Sequence, residues 1–506
     1  MLTSKDYIEA HMKKEIKQAT NAQALSVIVI IFTTLLFGFV AMNIDGIIML
    51  ASAAFIAGVF AIYLGYSWSD MTSAISNKIS ESIPALLILL SIGVLISTWM
   101  MGGVIPAMIY YGLEVINPNY LLLTAFIVSS AISIATGTSW GTVGTIGVAL
   151  IGVGTGMGVP LPMVAGAVIS GAYFGDKMSP LSDTTNMAAL AAKADLYDHI
   201  RQMMVTTIPA MVIACIAFTF MGFNFQSSNI ESPIYMSMLS DLTNNFIFSP
   251  ILIVPPAIVL YGAITKKATV PVLIISSLTA AFIGITLQGI DAGVVISSIK
   301  SGFNASTAMP DVKLSPEVIK LLNRGGAASM FEAVIFILIA FTFGGIIQLT
   351  NSLEIALKSI MSSLQTVTQV VLAAGFSATV IIAIAQNSYI SYFLVSQTYS
   401  EKFKELKLKE QNLSRILEDF VTVLEGLMPW TVSGVYMATT LGVAALDFAP
   451  YAVFNVSCVL LSILYALTYK SLGKYAFSFY TDEEVANKKK NQSDNTINNL
   501  KAQNGN

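Results

Sequence analysis

The chain has 506 residues, 55% hydrophobic and only 11% charged, with a formal net charge of −3. Soluble domains carry about 25% charged residues, so a soluble fold is excluded and a single polytopic membrane bundle is expected. No basic excess offers a surface to nucleic acid, and that partner is excluded too.

Taken from the N-terminus, residues 1–23 are polar, carry Lys5, Lys13, Lys14 and Lys17, and lack an Ala-x-Ala cleavage site. They read as a cytoplasmic lead-in to the first spanning helix rather than a signal peptide. A spanning helix needs about 20 largely apolar residues. Apolar runs meet or approach that length at 24–41, 46–66, 83–111, 120–136, 141–158, 160–190, 203–222, 247–264, 270–288, 332–349, 367–385, 389–400, 419–440 and 449–469. About 11–14 membrane segments are therefore expected. The run 83–111 holds Gly102-Gly103 and Pro106 and has the pattern of a re-entrant hairpin, 389–400 is short, and 160–190 is broken by polar residues.

If every run crosses, Lys78, Lys193, Arg201, Lys266-Lys267, Lys358, the stretch Lys402 to Arg415 and the lysines from Lys470 share the N-terminal side. By the positive-inside bias both termini are cytoplasmic. The segment 289–331, with Lys300, Lys313, Lys320 and Arg324, breaks that pattern. The sign-alternating run Lys402 to Glu410 reads as a solvated loop. The tail, Lys/Asn/Gln/Ser-rich and without aromatics from 482, has too little apolar surface to order itself.

The two halves echo one another. Glu81 matches Glu332 and Gly93 matches Gly344 at a shift of 251, while Thr138-Ser139-Trp140 matches Asn387-Ser388-Tyr389 and Asp176 matches Glu425 at a shift of 249. Pro180 and Pro429 each follow the acid by four residues. With five crossings per half and two between, the halves enter from opposite faces. Inverted repeats with helices broken near the midplane are typical of secondary transporters. The expected division is an N-terminal segment at 1–23, peripheral helices at 24–66 and a first repeat at 67–222. Linking helices follow at 223–331, then a second repeat at 332–470 and a polar tail at 471–506.

Two polar stretches carry the chemistry. Thr136 to Thr145 interrupts a helical pattern with four threonines, a serine and three glycines. Irregular backbone at membrane depth is tolerated where it lines a cavity or is buried in protein, and the alternative is a small-residue packing face. The second runs from Ser170 to Asn186. Ionisable groups at membrane depth are by default functional, because hydrocarbon cannot solvate them. Asp176 and Asp183, seven apart, would share a face of an unbroken helix, but Pro180 and the hydroxyls around it predict a break. A carboxylate binds a cation or a proton, not both at once, so competition at one carboxylate yields exchange. Lys177 is the nearest alternative partner for Asp176.

Asp176 and Asp183 are the expected cation and proton ligands, with neutral oxygens from Thr138, Ser139, Ser179, Thr184, Thr185 and Asn186. Glu425, Asn387 and Ser388 are their counterparts in the second half. Glu81 and Glu332 begin apolar runs and are either interfacial or part of the site.

Cys215 and Cys458 lie in apolar runs without a CxxC spacing, there are two histidines, and neither HExxH nor a P-loop occurs. These features speak against a zinc centre, ATP-driven pumping or an enzyme. No cofactor is expected, and the driving force would be an ion gradient.

At Thr136-Gly137-Thr138-Ser139-Trp140-Gly141-Thr142, and at Gly171 to Asn186, the sequence resembles the NhaC-type Na+/H+ antiporters of the ion transporter superfamily. Asp195 with His199-Ile200-Arg201 resembles the family's continuation. The likeness covers most of 24–470. The family often has Asn-Leu-Ala-Pro where this chain reads Asn186-Met187-Ala188-Ala189, so the local helix start is expected to differ. The resemblance implies Na+/H+ antiport by alternating access in the bacterial cytoplasmic membrane, with Na+ and H+ as transported ions and the lipid bilayer as surroundings. The family also holds exchangers that couple Na+ and H+ to malate or lactate, so a small carboxylate is the alternative substrate. A homo-oligomer is compatible with it.

Overall fold

The computed structural model describes residues 16–42, 44–223, 233–310, 312–361 and 363–484. Lys5, Lys13, Lys14 and most of the expected polar tail lie outside them. Among the described residues the secondary structure is helical apart from one isolated bridge between Leu408 and Phe479, with turns and irregular segments joining the helices. Among the described residues eight helices are long and apolar enough to cross a membrane, ten if two bent pairs are each one span. The sequence count was higher because four of its runs are broken or short helices.

Two peripheral helices, α1 (Asn21–Leu36) and α2 (Gly46–Leu64), come first. Next, α3 (Trp68–Met101) starts fifteen residues before its apolar run. Ser67 and Asp70 form a capping box, and Lys78 and Glu81 pair at 3.0 Å one turn apart, so the polar first turns are themselves helical. Gly102-Gly103 ends α3, with Gly103 at φ +79°, and α4 (Val104–Val115) follows.

The first core stretch is α5 (Leu121–Thr136), α6 (Ser139–Thr142), a π-turn (Val143–Gly147) and α7 (Val148–Gly156). After it run α8 (Leu161–Met178), α9 (Asp183–Ala192) and the long α10 (Leu196–Gly222). The linking region holds α11 (Pro233–Asn245), which with residues 250–264, including α12 (Val254–Ile264), makes a pair bent by 106°. There follow α13 (Thr269–Thr286), α14 (Ala292–Ser301), α15 (Ala305–Ala308) and α16 (Pro316–Leu322).

The segment 289–331, whose charges break the positive-inside pattern, packs into the bundle. The Gly326 amide donates to the Gly93 carbonyl of α3 at 2.6 Å, and the Ser97 hydroxyl donates to the Ser298 carbonyl at 2.8 Å. Its cations therefore do not report on a simple extramembrane loop, which explains why it broke the charge pattern.

The second core stretch holds α17 (Phe331–Leu349), α18 (Ser352–Met361), α19 (Val367–Ala385) and α20 (Ser388–Glu405). The run 389–400 thus belongs to an 18-residue helix, longer than its apolar part. The chain continues through α21 (Glu410–Leu417), a π-turn (Glu418–Thr422) and α22 (Val423–Glu425). After a break come α23 (Val432–Leu441), α24 (Ala445–Phe448) and α25 (Val453–Leu467).

Lys402 to Glu410 is not the free loop its charges suggest. Phe403 and Leu408 are buried, Lys407 and Lys409 pair with Asp482 and Glu484, and these hydrogen bonds hold both carboxyls below their usual range. The segment 476–484 is clasped against the bundle by them.

Two glycines set the distance between α5 and α8. A Cβ on Gly175 would lie 2.4 Å from Ser133 Cβ and 2.5 Å from the Ile134 amide, and one on Gly171 would lie 2.3 Å from the Phe126 carbonyl. Gly175→Ala should therefore push α8 off α5 and lower the melting temperature of the detergent-purified protein by the equivalent of about 1–3 kcal/mol. Ala172→Gly, on the same helix, serves as the control without the clash.

Candidate ion-binding site

Four breaks in the helical backbone build the site, and they pair up at the shift of 249. Gly137 (φ +68°) and Gln386 (φ +57°) end α5 and α19 in the left-handed conformation. A Cβ at Gly137 would also come within 2.8 Å of Leu181, so glycine is required there by both conformation and space. Thr138 and Asn387 then cap α6 and α20, accepting from the Gly141 amide at 3.3 Å and the Ile390 amide at 3.1 Å. Ser182 caps α9 and Thr431 caps α23. Each N-cap turns a chain that has just left one helix into the next, with its side-chain oxygen satisfying an orphan amide. The break predicted around Pro180 is present: α8 stops at Met178 and α9 starts at Asp183. Without a proline at 189, α9 runs unbroken to Ala192.

The acids sit at the ends of these broken helices. Asp176, 4% exposed, accepts from the Ser139 hydroxyl at 2.7 Å and the Ser182 hydroxyl at 2.6 Å. Glu425 accepts from the Ser388 hydroxyl and, at 2.8 Å, from the Ser433 hydroxyl. Ser388 is the counterpart of Ser139, and Ser433 that of Thr184, which contacts the Ser182 hydroxyl at 2.9 Å. So each acid is held by one hydroxyl from the first break of its half and one from the second.

The halves also clasp each other reciprocally. The Trp140 indole donates to Ser433 at 3.2 Å, and its counterpart Tyr389 donates to Asp183 at 2.6 Å. Trp140 stacks on Tyr436 with centroids 4.2 Å apart and planes within 7°, and the Tyr436 hydroxyl donates to the Trp140 carbonyl.

These groups line one cavity of about 850 Å³. Of the residues expected from sequence, Asp176, Asp183, Thr138, Ser139, Thr184, Glu425, Asn387 and Ser388 all line it. Asp183 is exposed and reads as a mouth residue, whereas Asp176 is at the buried end. Glu81 also lines the cavity but is committed to Lys78.

Ser179, Thr185 and Asn186 do not line it. Ser179 donates to the Ile134 carbonyl at 2.8 Å. Thr185 donates to the Asp176 and Lys177 carbonyls at 3.1 and 3.2 Å, and Asn186 to the Pro180 and Ser182 carbonyls. Their polar groups satisfy the carbonyls freed by the break. Glu332 is exposed at the start of α17, away from the cavity.

Lys177 is not a partner of Asp176. Successive residues on a helix point about 100° apart, so with Asp176 facing the cavity Lys177 faces the other way. It is fully buried and pairs with Asp419, which also accepts from Thr206 at 3.0 Å and Ser462 at 3.1 Å. Arg415 lies beside it, its Nε 3.8 Å from Asp419 Oδ2. Sequence reasoning missed this second cluster, although Arg415 and Asp419 share a helical face at i, i+4. Ser433 was missed as well, and carrying Thr184 forward by 249 would have found it. In consequence, among the described residues, Asp176 is met by the Ser139 and Ser182 hydroxyls and the Ser139 backbone and is paired with no cationic side chain.

Comparison with known proteins agrees with this architecture. Residues 171–469 match the model of the Na+/H+ antiporter family. The chain is 38% identical over 450 residues to an uncharacterized Na+/H+ antiporter of Haemophilus influenzae, covering 89% of this chain and 96% of that protein. It is 34% identical over 475 residues to the Na+/H+ antiporter NhaC of Alkalihalophilus pseudofirmus, covering 94% and 99%. It is also 38% identical over 441 residues to the malate-2H+/Na+-lactate antiporter of Bacillus subtilis, covering 86% and 91%. A chain matched over nearly its whole length, and by the family model across both broken-helix acids, belongs to the NhaC-type Na+/H+ antiporter family.

Proposed function

We propose that this multi-pass membrane protein exchanges Na+ for H+ across the bacterial cytoplasmic membrane, its termini on the cytoplasmic side, by alternating access between two inverted repeats. The observation that carries the reading is Asp176: a buried carboxylate, open to a cavity, with two hydroxyls on it and, among the described residues, no cationic side chain paired to it. A group so placed is costly unless something neutralises it. Na+ and H+ do so in turn, and each expels the other. Ser139 and Ser182 donate to the bare carboxylate and, with their protons turned away, offer lone pairs to a bound Na+. Thr138 and Thr184 add oxygens nearby, Asp183 at the mouth draws cations in, and Glu425 is a second acid within electrostatic reach.

Exchange of small organic acids coupled to Na+ and H+ is the second reading. The cavity volume and the lactate-exchanging relative favour it. Against it, Lys177, the one lysine of the core motif, is consumed by Asp419, and the two lysines that line the cavity, Lys266 and Lys267, are exposed residues between α12 and α13. In proteoliposomes, a Na+ gradient should drive a pH-dye response that malate and lactate neither support nor compete with. Labelled malate uptake coupled to that gradient would reverse the choice.

A further inference from the structure

We propose that Glu418 is a second proton-binding site, separate from the cavity acids, and that it adds a proton of its own to each Na+ exchanged. This inference rests on the Na+/H+ reading above.

Glu418 is fully buried, and among the described residues no donor meets either carboxylate oxygen in full hydrogen-bond geometry, the Thr422 hydroxyl one turn on being within its reach. Leaving such a carboxylate ionised without a donor is costly, so in this conformation it is stored as the neutral acid. The charges around it make the other state reachable. Lys177 from α8 faces both Asp419 and Glu418, and Arg415 from α21 faces Asp419. With Glu418 protonated the cluster carries one surplus positive charge, and with Glu418 ionised two cations balance two anions. Missing donors favour the acid and charge balance favours its anion, so a modest rearrangement decides between them.

The other groups facing it are few. Cys458 approaches from α25, Tyr392 from α20, and Asp176 lies within electrostatic reach beyond Lys177. The hydroxyl within reach of Glu418 on its own segment is that of Thr422. Na+ needs several converging oxygens, and Glu418 has little beyond its own two, so the ligand is a proton.

A route joins it to the cavity. Glu418 and Thr422 lie on successive turns of one chain segment, and Glu425 follows one turn further on. The Thr422 hydroxyl is 2.6 Å from that of Tyr392, and Tyr392 is one turn from Ser388, whose hydroxyl donates to Glu425. Hydroxyls both accept and donate, so a proton leaving the Glu418 carboxyl passes by way of Thr422 and Tyr392 toward Glu425, leaving the carboxylate behind. The segment Glu418–Thr422 is a π-turn, a distortion frequent at functional sites.

The test uses the full chain in proteoliposomes, with the coupling ratio read from the reversal potential and Na+ flux followed by radiotracer. Glu418→Gln should lower the ratio by one proton per Na+, with the half-saturating Na+ concentration unchanged. An unchanged ratio overturns the proposal. So does a parallel rise in half-saturating Na+, which would make Glu418 part of the Na+ site. If Glu418→Gln is not recovered from membranes, Thr422→Val carries the test, since it keeps the acid and removes the relay. It should lower the ratio as well, and a wild-type ratio again overturns the proposal. Wild-type vesicles that fail to couple Na+ to H+ at all would sink the underlying reading and this inference with it. A coupled wild type with an indifferent Gln variant sinks this inference alone.

Discussion

At Na+ concentrations that saturate the wild type, Asp176→Asn should lose Na+-driven proton movement while leaving the protein folded. The amide keeps the carboxylate's shape and still meets Ser139 and Ser182, so α8 and α9 stay where they are. What disappears is the charge, and with it the competition between ions. Removing one partner from a buried charge pair costs about 3–5 kcal/mol, and each 1.4 kcal/mol is about tenfold in affinity. The apparent Na+ affinity should therefore fall by about a hundredfold or more, read as the half-saturating Na+ concentration of the pH-dye response. Asp183→Asn makes the internal comparison. That carboxylate is exposed and hydrogen-bonded by Tyr389, solvent screens it, and exposed pairs contribute about 1 kcal/mol or less. Its loss should shift half-saturation by about fivefold at most. Equal effects at the two positions would mean that burial does not distinguish them.

Breaking the Lys177–Asp419 pair has the second largest expected effect, and it falls on the fold. Both side chains are fully buried. Lys177→Met leaves Asp419 with Arg415 at 3.8 Å and two hydroxyls, while Asp419→Asn leaves two buried cations facing one another's field. Each single change should destabilise the protein by about 3–5 kcal/mol, read as a lower melting temperature and a smaller monodisperse fraction in detergent. The double change Lys177→Met with Asp419→Asn removes one charge of each sign and should recover much of the loss. Additive losses would show that the two residues do not act as a pair.

Much of this was legible in the chain. The all-helical membrane architecture follows from composition, and the two polar stretches, Thr136 to Thr145 and Ser170 to Asn186, coincide with the backbone breaks. The shift of 249 pointed from Asp176 to Glu425 and from Ser139 to Ser388, whose side chains meet in the structure. What could not be read was direction. A sequence states that Asp176 and Lys177 are neighbours, but helical geometry sends one into the cavity and the other into the opposite half. Nor does residue type separate a hydroxyl that faces a cavity from one that satisfies a carbonyl. Thr184 lines the cavity and Thr185 caps α8, and only the register of α9 tells them apart. Arg415, Glu418 and Asp419 stayed hidden because they end a run of charges that reads as solvated, although the helix carrying them is buried.

The claim underneath all of this is that one carboxylate serves two ions in turn. The most direct measurement is the half-saturating Na+ concentration of transport as a function of pH in wild-type proteoliposomes. Ions competing for one group are linked, so half-saturation should climb as pH falls, approaching about tenfold per unit where Asp176 is mostly protonated. A half-saturation that stays level across that range, with pH acting on the maximal rate alone, would place proton and sodium ion at different groups and contradict the account.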